Sequence, residues 1–135
     1  MLVYLLQYAD WIINQIDPDR YITHRLYRQH TSSVSEYALK DIRKLGRHIE
    51  KVIIVDNLEE NFKEVAFFNG IKVKTWINEM DDRVLEFLSQ FLKQVVVKRV
   101  PDVRVLLKNF KATLETCLEE NKAVPEFTQF DLIEK

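Results

Sequence analysis

The chain has 135 residues, room for one domain, and 47% apolar with 30% charged residues is the balance of a folded globular protein rather than a disordered one. Twenty basic residues against twenty-one acidic ones leave a formal charge of −1, which gives no electrostatic basis for binding nucleic acid or an anionic membrane surface. The single cysteine, Cys117, excludes an internal disulfide, and no apolar run approaches the roughly 18 residues of a membrane span.

Leu2, Leu5, Leu6, Ala9, Ile12, Ile13 and Ile16 recur at helical spacing, which predicts an amphipathic helix ended by Asp17-Pro18. Its apolar start, Met1 to Leu6, has no basic leader or small-residue cleavage site and reads as the interior of something larger. Tyr21–Tyr27 is rich in β-branched and aromatic residues and predicts a strand with some edge character, followed by a loop over 28–40. A short helix or turn with Ile42 and Leu45 leads through Gly46 to Val52–Val55. That uninterrupted apolar run predicts a strand covered on both faces, the pattern of a parallel α/β sheet. Leu58 to Ala66 predicts a short helix. Asn69-Gly70 marks a turn, and Ile71–Trp76 alternates as an edge strand does. Asp81-Asp82 opens a helix with Val84, Leu85, Leu88, Phe91, Leu92 and Val95. After Pro101, Val103, Leu106, Leu107, Phe110 and Leu114 predict a second long amphipathic helix, and the rest is a loosely docked tail.

Ligands of parallel α/β sheets bind at the carboxyl ends of strands, where Asp56 and Asn57 fall. With Lys40 these offer an acid, an amide and an amine, a set suited to a hard cation plus a phosphate. On spacing alone, the pair could equally open a turn and the lysine be a solvated charge. Trp76 reads as a packing residue, and His24, His30 and His48 lack metal-ligand spacing.

Taken in order, Tyr8-Ala9-Asp10, Asp17-Pro18, Leu26-Tyr27-Arg28, Lys40-Asp41, Leu45-Gly46-Arg47, Asp56-Asn57, Asn69-Gly70-Ile71, Trp76 and Asp102-Val103-Arg104 resemble the small phosphatases of the RNA polymerase II C-terminal domain. These are the NLI-interacting-factor-like phosphatases, a branch of the haloacid dehalogenase superfamily. The resemblance implies an α/β, Rossmann-like parallel sheet, here incomplete and lacking its first two core strands. It implies a partial phosphatase homology domain over 1–120, with 121–135 as a tail. It also implies a Mg²⁺-dependent phosphoserine/threonine protein phosphatase working through an aspartyl phosphate. Lys40 would steady the nucleophile and the transferring phosphoryl group, Asn57 would ligate Mg²⁺, and Asp56 would support the metal and its waters.

The family's nucleophile and general acid lie in an Asp-x-Asp-x-Thr motif on an earlier strand, and the chain is read as carrying no Asp-x-Asp. Its phosphate-binding Thr or Ser would fall near Leu2 to Tyr4, where neither type stands. The expectation is therefore a C-terminal part or decayed copy of such a domain, inactive alone, with unpaired strand edges open to self-association. An intracellular setting, cytoplasm or nucleus, follows from this reading. The alternative is a mitochondrial inner-membrane presequence import receptor of the same fold, suggested by Asp81-Asp82-Arg83-Val84-Leu85 and the length beyond Arg104. A non-catalytic interaction remnant is a third reading.

Overall fold

The computed structural model describes residues 2–32 and 38–134, with side chains from Gln7 onward. The chain divides into two compact units, Met1–Ser32 and Ser33–Lys135. The part of the expected loop at 33–37 and the residues at Leu2 to Tyr4, where a phosphate-binding side chain was sought, have side chains outside the described set.

The first unit is helix α1 (Leu2–Ile16) and the segment that returns from it. Asp17 ends the helix for a reason beyond the proline that follows. Its carboxylate accepts hydrogen bonds from the backbone N–H groups of Tyr21 (2.8 Å) and Ile22 (2.9 Å), which folds the chain back. Arg25 then donates to Asp10 (2.9 Å) and Asn14 (2.8 Å), and the Tyr27 hydroxyl donates to Asp10. Residues 21–27 form no ladder, so the strand expected there is not present. A strand needs a neighbour for its backbone groups, and here the segment is held to α1 by side chains instead.

The second unit is α/β. Strand β1 (Ile54–Asp56) pairs in parallel with β2 (Gly70–Lys72), Ile54 opposite Gly70 and Asp56 opposite Lys72. The Val73 N–H extends the pairing to the Asp56 carbonyl at 3.0 Å. Both strands are shorter and slightly displaced from Val52–Val55 and Ile71–Trp76. Between them lie a 3₁₀ turn (Glu59–Asn61), a single helical turn α2 (Lys63–Ala66) and a second 3₁₀ turn (Phe67–Asn69). Helices α3 (Val84–Val97) and α4 (Val103–Glu119) complete the four α-helices among the described residues. Asp82 accepts from the Val84 N–H at 2.8 Å and Asp102 from the Arg104 N–H at 2.8 Å, each satisfying a donor at a helix start.

The continuous apolar run before Asp56 is explained by two cores. Ile53 and Val55 face a large cluster built on Leu88, Phe91, Leu106, Leu107, Phe110 and Leu114. Val52 and Ile54 face a small one made of Ile42, Phe62 and Ala66. Strand side chains alternate between faces, so every position in the run finds an apolar neighbour. Phe62 also dictates Gly70, because a Cβ there would lie 1.8 Å from the Phe62 ring. Asn69, rather than turning a hairpin, is buried and donates to the carbonyls of Ile49 (2.7 Å) and Val52 (2.8 Å).

Two features depart from expectation. Phe127, in the tail read as loosely docked, is only 1% exposed and sits edge-on to Phe91 and Phe110, with centroids 5.8 and 6.1 Å away. Lys98 Nζ lies 4.5 Å over its ring and donates to its carbonyl at 2.7 Å, while Asn109 donates to the carbonyls of Asp131 and Ile133. Trp76, read as a packing residue, is 61% exposed, its indole N–H donating to the Glu79 carbonyl at 3.2 Å.

Candidate functional site

Lys40 and Asp56 meet. Asp56 is the last residue of β1 and so stands at its carboxyl end, with its side chain only 4% exposed. Lys40 reaches it from the segment before the 3₁₀ turn Ile42–Leu45, and its Nζ donates to Asp56 Oδ2. The lysine side chain as a whole stays 45% exposed. Two local devices place it. Leu39 beside it is buried, and the Lys40 backbone N–H donates to the Asn61 carbonyl at 2.7 Å.

Asp56 is saturated by donors. Besides Lys40, the Leu58 N–H reaches Oδ1 at 2.9 Å, closing an Asx turn, and Asn61 Nδ2 lies 3.2 Å from both oxygens. Burial alone pushes this carboxyl's pKa upward, but the hydrogen bonds from Lys40, Leu58 and Asn61, with the lysine charge, outweigh it. The net shift is downward, so Asp56 is an anion at neutral pH.

Asn57 follows directly. Its Nδ2 donates to Thr75 Oγ1 at 3.0 Å, so its Oδ1 is the oxygen it could offer a cation. Mg²⁺ takes oxygen ligands, commonly one or two carboxylates with waters. The residues here supply one neutral amide oxygen and a carboxylate already engaged by protein donors. Among the described residues no group of three or more His, Cys, Asp or Glu side chains could hold a metal. The described residues therefore do not by themselves make up a closed magnesium site.

Asn61 and Thr75 were not legible as site residues. Asn61 lay inside an expected helix, Thr75 in an expected strand. The one available signal was the Asx-turn chemistry of Asp56-Asn57-Leu58. The other residues singled out are structural. His30 Nδ1 accepts from the Tyr27 N–H at 2.9 Å, Arg104 pairs with Asp102 at 2.7 Å, and Cys117 is a half-buried free thiol. The sequence does spell Asp-x-Asp once, at Asp17-Pro18-Asp19, against the reading that none occurs. Arg20-Tyr21 follows it in place of x-Thr, and Asp17 is committed to its turn.

The NLI interacting factor-like phosphatase family matches residues 5–104, most of the chain. The chain belongs to this family. The family is a branch of the haloacid dehalogenase superfamily, in line with the parallel β1–β2 pair and its carboxyl-end site. Among its relatives, mitochondrial import inner membrane translocase subunit TIM50 of Mus musculus is 37% identical over 99 residues, covering 73% of this chain and 28% of the relative. The TIM50 of Kluyveromyces lactis is 34% identical over 122 residues, covering 90% and 23%. CTD small phosphatase-like protein 2 of Dictyostelium discoideum is 37% identical over 97 residues, covering 72% and 17%. The match thus spans between 17% and 28% of the length of these relatives. No solved structure matches it.

Proposed function

We propose that this family member is the charge-stabilising part of a phosphoserine/threonine protein phosphatase site of the aspartyl-phosphate type. One observation carries the reading: a half-exposed lysine held on a buried, ionised aspartate beside an asparagine at the carboxyl end of a parallel strand. Phosphoryl transfer requires mostly positioning and neutralisation of charge. Lys40 would offset negative charge on the phosphoryl oxygens, and Asp56 would fix the direction of that ammonium. Asn57 would present Oδ1 to Mg²⁺, with the remaining ligands coming from residues outside this set. In this reading residues 1–120 form an incomplete haloacid-dehalogenase-like domain and 121–135 a tail packed on it through Phe127. β1 pairs only with β2 among the described residues, which leaves an edge for a strand from elsewhere, a second copy included.

The 135 residues alone are expected to hydrolyse no phosphopeptide. Joined to a family segment carrying Asp-x-Asp-x-Thr, they should do so with Mg²⁺. Lys40→Met or Asn57→Ala should then lower turnover about 100- to 1,000-fold, the size of one lost electrostatic contact in an active site. Undiminished turnover in Lys40→Met would remove that lysine from the mechanism, and Mg²⁺-dependent hydrolysis by the 135 residues alone would overturn the reading.

The second reading is an import-receptor-like binding protein in the mitochondrion. It is favoured by the Kluyveromyces lactis match, which at 122 residues runs beyond the 5–104 shared with the phosphatase family. Binding of a mitochondrial presequence peptide, unchanged in Lys40→Met and without Mg²⁺, would support it.

A further inference from the structure

Both partners of the Lys40–Asp56 pair meet one residue that carries no charge. The Asn61 carbonyl accepts the Lys40 backbone N–H at 2.7 Å. The Asn61 side-chain amide lies 3.2 Å from each Asp56 oxygen. Asn61 is itself fixed, because it ends the Glu59–Asn61 turn, its N–H donates to the Leu58 carbonyl at 3.1 Å, and the fully buried Phe62 follows.

We propose that Asn61 is the positioning residue of this site, spanning the gap between the Lys40 backbone and the Asp56 carboxylate so that the lysine ammonium is held at one place and direction. The role for Lys40 rests on the phosphatase reading above, whereas the positioning itself does not. The physical basis is geometric. A lysine side chain has four rotatable bonds and reaches one oxygen of a carboxylate that could otherwise swing about its own χ2. An amide that bridges both oxygens fixes the carboxylate plane, and the same residue's carbonyl fixes where the lysine stem begins. A carboxylate held only by Lys40 and the Leu58 N–H would keep a donor on each oxygen but lose that bridge.

The test uses the 135-residue chain and needs no catalysis. Asn61→Ala removes the amide while keeping the carbonyl that accepts from Lys40. Asn61→Asp keeps the shape and replaces the donor with an acceptor, in case the alanine variant does not fold. The order of the Lys40 Cε methylene is read by ¹³C NMR relaxation in the wild type, each Asn61 variant, Asp56→Asn and the double variants. The expected result is a well-ordered Lys40 terminus in the wild type and a clear loss of order in Asn61→Ala and Asn61→Asp, approaching that of Asp56→Asn. The effect of Asp56→Asn should also shrink markedly when Asn61 is already replaced, the mark of a shared geometry. An unmoved Lys40 terminus in both Asn61 variants, or losses from Asp56 and Asn61 that simply add, would overturn the positioning role. The readout involves no turnover, so a completed domain without phosphatase activity would overturn the phosphatase reading and leave the positioning standing.

Discussion

Replacing Phe127 with alanine tests whether the last fifteen residues belong to the core. The ring is 1% exposed and contacts Phe91 and Phe110 edge-on. Emptying a buried phenylalanine site costs about 3–5 kcal/mol, of which each favourable ring pair supplies roughly 0.5–1.5 kcal/mol beyond simple burial. With two such pairs, and Lys98 losing the ring under its ammonium, Phe127→Ala should cost about 4 kcal/mol. The Lys98 bond to the backbone carbonyl survives the substitution, so it does not add to the loss. Phe127→Leu retains most of the apolar volume and loses the edge-on geometry, which sets its cost at about 1–2 kcal/mol. Urea unfolding followed by far-ultraviolet circular dichroism reads both. Against a total of about 5–15 kcal/mol for a domain, the alanine variant should move the midpoint far to lower urea. A loss under about 1 kcal/mol at unchanged slope would show that α3 and α4 stand without the tail.

Gly70→Ala places a methyl 1.8, 2.2 and 2.7 Å from three atoms of the fully buried Phe62 ring and should cost about 1–3 kcal/mol, partly recovered in Gly70→Ala with Phe62→Leu. A Gly70→Ala melting curve that matches the wild type would refute that packing. The lowered pKa of Asp56 makes a signed prediction about acid. Its contribution is present in full above the unfolded carboxylate value of about 3.9 and is lost as pH falls through the lower folded value. Urea midpoints of the wild type and Asp56→Asn measured from neutral to acid pH should therefore converge as pH drops. A constant gap would mean that Asp56 ionisation does not stabilise the fold.

Periodicity made α1, α3 and α4 legible, and in α3 and α4 the apolar stripe is the face that is buried. The run ending in Asp56 was legible as a two-faced strand because both its faces are apolar, and the ordered set of short motifs pointed to Lys40 and Asp56, which the structure brings together. Tyr21–Tyr27 misled because β-branched composition reports a surface that suits a strand, not the neighbour that makes one. Phe127 was missed because a lone aromatic among polar residues has no period. Asn61 was missed because its importance lies in bridging two residues distant in sequence, and neither bond leaves a trace in local pattern. The short β1 and β2 illustrate a further limit, since ladder length is set by what lies alongside.

The two cores on either side of β1 differ greatly in size, and the site leans on the smaller. Lys40 hangs between Leu39 and the turn that carries Ile42, and Asn61 directly precedes Phe62. Regions with few buried apolar contacts open at lower free energy than the whole molecule. The patch around Ile42, Phe62 and Ala66 should therefore release its amide protons earlier than α3 and α4 in hydrogen exchange, taking the lysine–aspartate geometry with it. The fraction of molecules with an assembled site is then governed by this local opening rather than by global unfolding. A strand or ligand that closes over the small core would raise that fraction without touching Lys40 or Asp56.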